Sequence, residues 1–313
     1  MPRAAIQSMS SLSGRPLIFG EVLFDTFDDG VEVLGGAPFN VAWHLCGFGL
    51  SPLFVSRIGT DSRGARVLDA MRDWGLDVSG VQRDPSRPTG IVRVSLSGGQ
   101  PSFDIVPEQA YDFIADEPVR AVLASESVAL MYHGSLALRG PDSQATAEAL
   151  RARTGAPVFM DVNLRPPWWR AENLVNYLRG ATWVKLNDDE LKELGVVSGT
   201  AHTDLDSAAR AFFLHYGLQV LILTRGAQGA TVFAGDREVN GVPPPIERVV
   251  DTVGAGDAFS AVTILGLMRG WSLSRILPRA LAFAARICAQ RGATANDPEM
   301  YRELLTRWDD GDA

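Results

Sequence analysis

The sequence predicts an α/β fold: a doubly wound, mostly parallel sheet with helices on both faces and a small β lid. Three observations predict it. Apolar strand-like runs alternate with helical stretches through most of the chain. Residues 249–270, VVDTVGAGDAFSAVTILGLMRG, read as the end of a buried strand, a glycine turn and a long apolar helix. One section interrupts the alternation: TGIVRVSLS from Thr89, a turn at Gly98 and Gly99, and PSFDIVP from Pro101 form a hairpin signal with no helix of its own.

Composition sets the outer bounds. The 313 residues are 46% hydrophobic and 21% charged, ordinary for a globular chain with a large core. A net charge of -8 offers no electrostatic footprint for nucleic acid or anionic membrane, so any phosphate is held locally. Cys46 and Cys288 lie far apart in apolar helical patterns and read as core residues of a reducing compartment. The four histidines show no metal-ligand spacing. Residues 1–14 lack a signal peptide's apolar core and no run is long enough to span a bilayer, so a cytoplasmic location is expected. Residues 1–15 are expected to be a loose tail. Residues 16–313 form one domain, with the lid built from about 26–36 and 88–112.

In chain order, PLIFGEVLFD from Pro16 reads as one buried strand delivering Asp25 to its C-terminal edge. After a turn-rich piece, GGAPFNVAWHLCGFG from Gly35 places a double glycine and Pro38 at the start of a helix that Gly47 or Gly49 ends. PLFVSRIG from Pro52 is a strand, and DSRGARVLDAMRDWG from Asp61 is a helix with a polar start and a glycine stop. Further strands are expected over residues 128–133, 156–162, 182–187, 220–224 and 230–233, and the prolines at 243–245 mark a loop or edge segment. ALAFAARICAQRGA from Ala280 reads as a small-residue helix ending at Gly292.

The glycine turn carries the chemistry. Gly254, Ala255 and Gly256 let a ligand approach the backbone, and their N–H groups fall among the unpaired donors of a helix N-terminus, an anion site. Asp257 follows in the first turn, beside that site. A carboxylate next to an anion hole points to phosphoryl transfer, the acid accepting a hydroxyl proton while the amides balance charge on phosphate oxygens. The bland alternative is an acid placed to suit the helix dipole. Elsewhere, Asp161, Asn163 and Arg165 alternate at a strand end and so face one side. Gly35 and Gly36 would let a ligand touch the backbone or serve only as a hinge, and Asn40 would meet the ligand or cap the helix.

The string DTVGAGD over residues 251–257 resembles the second signature of the PfkB, or ribokinase-like, sugar kinases, and GGAPFN from Gly35 with IGTDSRG from Ile58 resembles the first. The resemblance covers nearly the whole chain and implies a ribokinase-like fold, with ATP and Mg²⁺ as cofactors. By resemblance Asp25, Gly35, Gly36 and Asn40 would hold sugar hydroxyls, and Asn163 and Arg165, in a segment like D-x-N-x-R, would line the sugar and phosphate pocket. KLNDDE from Lys185 resembles the N-x-x-E motif, in which Asn187 and Glu190 would organise magnesium and its waters near the nucleotide phosphates. An N-capped helix with acids in its first turn is the other reading of those two residues. TRGAQG, with Thr224, Gly226 and Gly229, matches the nucleotide-binding turn. Asp251 and Val253 would hold a monovalent cation such as K⁺, or Asp251 would cap the turn.

The fructokinase branch is the nearest likeness, with fructose to fructose 6-phosphate the expected reaction and Asp257 the base. Where kinases of sugar phosphates carry a lysine after the double glycine, this chain has Ala37 and Pro38. Asp104 in the lid strand is expected to repel an anionic acceptor such as 2-keto-3-deoxygluconate, with Arg93 beside it as a counterweight. That acid, a ribokinase-type substrate, and a non-catalytic sugar sensor on the same fold are the alternatives. The first strand lacks the G-x-G-x-x-G of a nicotinamide dehydrogenase, and the chain has no G-x-x-x-x-G-K-[ST]. Lid edges are expected to pair two copies into a homodimer.

Overall fold

The computed structural model describes residues 11–97 and 100–311. Residues 1–10 of the expected tail and the hairpin turn at 98 and 99 lie outside the described residues. Leu12 packs against the core, and Arg15 bonds to Asp77 at 2.7 Å and Glu126 at 2.8 Å, so the loose tail does not extend to residue 15.

The chain opens with β1 (Arg15–Phe19), β2 (Leu23–Phe27), β3 (Glu32–Gly35) and α1 (Ala37–Gly47). The expected single strand over PLIFGEVLFD is therefore two. Gly20, at φ 148 and with Pro38 Cγ 2.4 Å from where a Cβ would stand, breaks the run, and Asp25 sits in a different sheet from β1. Next come β4 (Leu53–Gly59), α2 (Ser62–Trp74), β5 (Val81–Asp84), β6 (Gly90–Ser97), β7 (Gln100–Ile105), α3 (Asp116–Leu123), β8 (Val128–His133) and α4 (Pro141–Thr154). Asp61 caps α2 by accepting from the Gly64 amide, and Gly75 ends it in the left-handed region. The rest of the chain is β9 (Val158–Asp161), α5 (Ala171–Gly180), β10 (Trp183–Asn187), α6 (Asp188–Ser198), α7 (Leu205–Tyr216), β11 (Val220–Thr224), β12 (Ala230–Ala234), β13 (Arg237–Gly241), α8 (Ala255–Met268), α9 (Leu273–Cys288) and α10 (Pro298–Asp309).

The main sheet has the order β13-β12-β11-β10-β9-β8-β1-β4-β5 and is parallel from β11 to β5, with β12 and β13 antiparallel at one edge. Successive residues of each strand alternate between its two covers. Ile18, Phe54, Tyr132, Phe159 and Ile222 pack under α1, α8 and α9, whereas Leu17, Val55, Met131, Val184 and Leu221 face α4 to α7. β2, β3, β6 and β7 form the separate small sheet, in the order β3-β2-β6-β7.

Two further expectations fail. Residues 249–253 are not the end of a buried strand but an exposed loop, with Val249 56% and Val250 49% exposed. The alternation of Asp161, Asn163 and Arg165 is broken too. β9 stops at Asp161 and Asn163 lies at φ 41, so the three side chains do not share one strand face.

Candidate active site

α8 begins where the chain needs a left-handed residue. Gly254 is its N-cap at φ 81, and a Cβ there would stand 2.4 Å from the Ala293 Cβ. The helical ladder starts with the Ala258 amide donating to Gly254, which leaves the amides ahead of it outside the ladder. Ala255 N–H has a long bond, 3.3 Å, to the Thr252 carbonyl. Gly256 and Asp257 occupy the second and third helical positions, at the positive end of the dipole.

The Asp257 carboxylate accepts from Asn40 Nδ2 at 2.8 Å, across 217 residues of sequence. Burial pushes its carboxyl up to about 6 and the charge of Asp161 adds to this, while the Asn40 bond, Lys185 and Arg165 pull down. Asn40 lies inside the first turn of α1 and caps nothing, and its Oδ1 is buried without a partner. Gly35 separates Asn40 from Asp25, since a Cβ there would lie 3.9 Å from Asp25 Oδ2 and 4.0 Å from Asn40 Oδ1. Gly36, at φ 112, is pressed on the Glu21 carbonyl, 2.7 Å from where its Cβ would be. Gly36 therefore has a steric reason, whereas at Gly35 an added Cβ would make only ordinary contact and the bare backbone leaves room for a ligand. Asp25 is pushed up to about 6 by burial, against the pull of Arg165. An orphaned amide oxygen, a half-buried carboxyl and bare backbone form a cradle suited to the hydroxyls of a polyol.

Arg165 is exposed yet acts on Glu21, Asp25 and Asp257, which makes it the cation common to this acidic group. Asn163 is half-buried, and its carbonyl accepts from Ser135 Oγ at 3.1 Å. Trp168 is half-buried against the core, with the Arg139 guanidinium 4.5 Å from its ring.

On the neighbouring strands the nucleotide candidates line up. Asn187 ends β10 in register with Thr224 at the end of β11. Asn187 and Glu190 form a reciprocal capping box for α6, each side chain taking the other's amide at 2.8 Å. The second Glu190 oxygen accepts from Leu164 N at 2.8 Å, so this acid also anchors the segment carrying Asn163 and Arg165. No cluster of three metal-binding side chains occurs among the described residues. Gly226 and Gly229 are left-handed, at φ 52 and φ 94, and a Cβ on Gly229 would collide with the Gly241 carbonyl. Asp251 accepts from Val253 N at 3.0 Å and Gly292 N at 3.1 Å, tying the loop before α8 to the loop after α9.

Two buried groups escaped the motif reading. Glu21 is 3% exposed, with Oε2 unpartnered and its carboxyl pushed up to about 7 by burial. An acid following a glycine within an apolar run was its only signal. Lys185, the first residue of KLNDDE, donates to both oxygens of Asp161 at 2.9 and 2.8 Å. A Cβ on Gly256 would lie 3.3 Å from its Nζ, so this ammonium sits under the glycine turn.

A cradle suited to hydroxyls beside a turn that sets a carboxylate next to backbone amides is an arrangement that suits phosphoryl transfer to a polyol. The sequence profile of the pfkB family carbohydrate kinases matches residues 16–300, and the chain belongs to that family and is a carbohydrate kinase. The fructokinase of Escherichia coli is 28% identical over 306 residues, which cover 91% of this chain and 94% of that protein. Among solved structures, the fructokinase of Xylella fastidiosa with bound ATP has a TM-score of 0.82 at 22% identity, over 94% of this chain and 99% of that one. A double mutant of the Vibrio cholerae O395 fructokinase, holding fructose, ADP and a potassium ion, gives 0.78 at 22% identity, over 95% and 99%. The likenesses to solved structures carry the ribokinase-like fold.

Proposed function

We propose that this kinase transfers the γ-phosphate of ATP to the primary hydroxyl of a neutral hexose, fructose giving fructose 6-phosphate. The Asn40–Asp257 bond at 2.8 Å carries this reading, because it aims the carboxylate of the glycine turn at the cradle formed by Asp25, Gly35 and Gly36. The sugar oxygen bonds to phosphorus as the bond to the ADP oxygen breaks, and the hydroxyl proton passes to Asp257. The amides of Gly254, Ala255 and Gly256 would receive the transferring oxygens, that of Ala255 in competition with the Thr252 carbonyl. Asn163 and Arg165 would line the pocket. Asn187, Thr224, Gly226 and Gly229 would meet the nucleotide.

Magnesium supplies charge neutralisation at the phosphates when bound. Both Glu190 oxygens already accept from amides, so Glu190 would reach the ion through water, which suits a metal that keeps its waters. Asp251 and the Val253 backbone would hold a monovalent cation.

A neutral acceptor is supported by the small sheet. Asp25 is in register with Val92, so Arg93 and its partner Asp104 lie on the opposite face, where they pair with each other at 3.0 Å. The expectation that Asp104 repels an anionic acceptor is therefore replaced by a different reason. The Asp25 face of β6 and β7 carries Val92, Val94 and Ile105, which are buried in the core, and the exposed Phe103, so these strands offer no cation on that side to hold a carboxylate or phosphate. The exposed Val33 and Phe103 on this sheet, with exposed Val31 in the turn before β3, support a homodimer through the lid, and a purely monomeric sedimentation profile at high concentration would remove it.

An ADP-release assay with Mg-ATP against fructose, ribose, 2-keto-3-deoxygluconate, adenosine and fructose 6-phosphate tests the substrate. Turnover of fructose alone is expected. Preference for an anionic sugar would overturn the reading of the lid face, and silence on the whole panel would favour a sugar sensor.

A further inference from the structure

We propose that Asp161 is a positioning residue for the transfer step: through Ser260 and Lys185 it fixes the first turns of α8 and thereby the aim of Asp257. The inference rests on Asp257 being the base. Asp161 is the hub of a buried cluster drawn from four elements. Lys185 of β10 donates to both its oxygens, Ser260 of α8 donates to Oδ2 at 2.9 Å, and the Tyr132 hydroxyl of β8 donates at 3.4 Å. Asp161 is 2% exposed, Ser260 and Tyr132 are 0%, and Lys185 is 6%.

The cluster touches α8 where the chemistry is placed. Ser260 follows Asp257 by three residues, so both lie on one side of the helix. The Lys185 ammonium stands under Gly256, one residue before the base. A buried ion pair costs desolvation that apolar residues would avoid, so stability alone is a poor reason for placing one here. What the pair supplies is a fixed hydroxyl anchor for the helix and two opposite charges near a third.

The charged groups facing Asp257 are Asp161 from β9, Lys185 from β10, Arg165 after β9 and Glu21 between β1 and β2, with neutral Asn40 from α1 and Tyr132 from β8. Asp161 raises the Asp257 carboxyl and Lys185 lowers it. Replacing either one should therefore move Asp257 in opposite directions, a response that a purely structural role does not produce.

The test uses the full-length enzyme with ¹³C-labelled aspartate, Asp257→Asn assigning the resonance, together with steady-state kinetics on the acceptor that the wild type turns over. In Asp161→Asn the Asp257 midpoint should fall below about 6, and in Lys185→Met it should rise. Ser260→Ala should lose about tenfold in kcat from misaim, with both KM values within about twofold. Midpoints that stay fixed or move together in the two charge variants overturn the proposal, and so does a wild-type kcat in Ser260→Ala. Should Asp161→Asn fail to fold, the other two variants decide. Normal turnover by Asp257→Asn would instead overturn the assignment of the base, while the direction in which its carboxyl titrates still reports on the cluster.

Discussion

Asp257, as the proposed base, would gain its chemistry from surroundings rather than from residue type. Its carboxyl is raised to about 6, so it would accept a proton better than an ordinary aspartate while staying mostly ionised at neutral pH. Turnover should accordingly fall as pH drops through about 6, and a pH–rate profile flat down to pH 4.5 would contradict it. Asp257→Asn should lose about 10²–10⁴ in kcat, the usual range for a removed general base, while fructose binding by calorimetry stays within a few-fold. Near-normal turnover would sink the assignment. Asp257 and Asn40 were legible because each sits in a compact string of small and polar residues. Asp161 with Lys185 was not, because the contact is a cross-strand pair between parallel neighbours, 24 residues apart with a helix between, and nothing local announces it.

At the scale of elements, the joint before α8 depends on one backbone conformation. Gly254→Ala would place a methyl in the left-handed region, 2.4 Å from Ala293 Cβ and 2.5 Å from its Cα. We expect a loss of about 1–3 kcal/mol in urea unfolding, with a larger fall in kcat than in stability as the amides turn away. An active and equally stable variant would show that the turn tolerates another shape. The glycines and the apolar helix were readable because the turn has a steric requirement. The loop ahead of them was not, since Val249 and Val250 are apolar residues left exposed, and hydrophobicity cannot tell that from a strand. The same ambiguity hid the break at Gly20, where two short strands of different sheets read as one run.

Across the whole molecule, Glu21, Asp25 and Asp257 all carry carboxyls raised by burial, to about 7, 6 and 6. A group whose folded pKa exceeds its unfolded one binds more protons when folded, so its contribution makes stability fall as pH rises between the two values. Asp257→Asn should therefore unfold at a higher temperature than the wild type above pH 7, and the gap should close toward pH 4. The gain is on the order of 1–2 kcal/mol, at about 1.4 kcal/mol per unit and discounted for the side open to the cleft, or a few degrees in Tm. No gap at pH 8 would mean the acid is better solvated than its position implies. Asp61, held below the usual range by the Thr89 hydroxyl and the Thr89 and Gly64 amides despite burial, and Asp84, held there by the Ser86 and Arg87 amides with Arg57 and Arg87, work the other way and lose their contribution only as pH falls below the ordinary carboxylate range. The layered sheet was readable from the alternation of elements. Its edges, β5 and β13, were not, because VQRD and REVNG are short and polar, with no second buried face to demand an apolar pattern.

α1 holds the glycine turn of α8 from two directions. Asn40 bonds Asp257, and four residues on, His44 bonds the Ala293 carbonyl at 2.9 Å, the residue that backs Gly254, while Trp43 bonds the Ala295 carbonyl at 3.0 Å. The helix thus works as a splint whose two clamps must stay in phase. An inserted residue between Asn40 and His44 would rotate one clamp by about 100° relative to the other. An insertion at Gly30, where an added side chain would meet nothing within 4 Å, disturbs no such phasing. Insertional tolerance along this chain should therefore be lowest inside one short helix and high in the turn only a few residues before it.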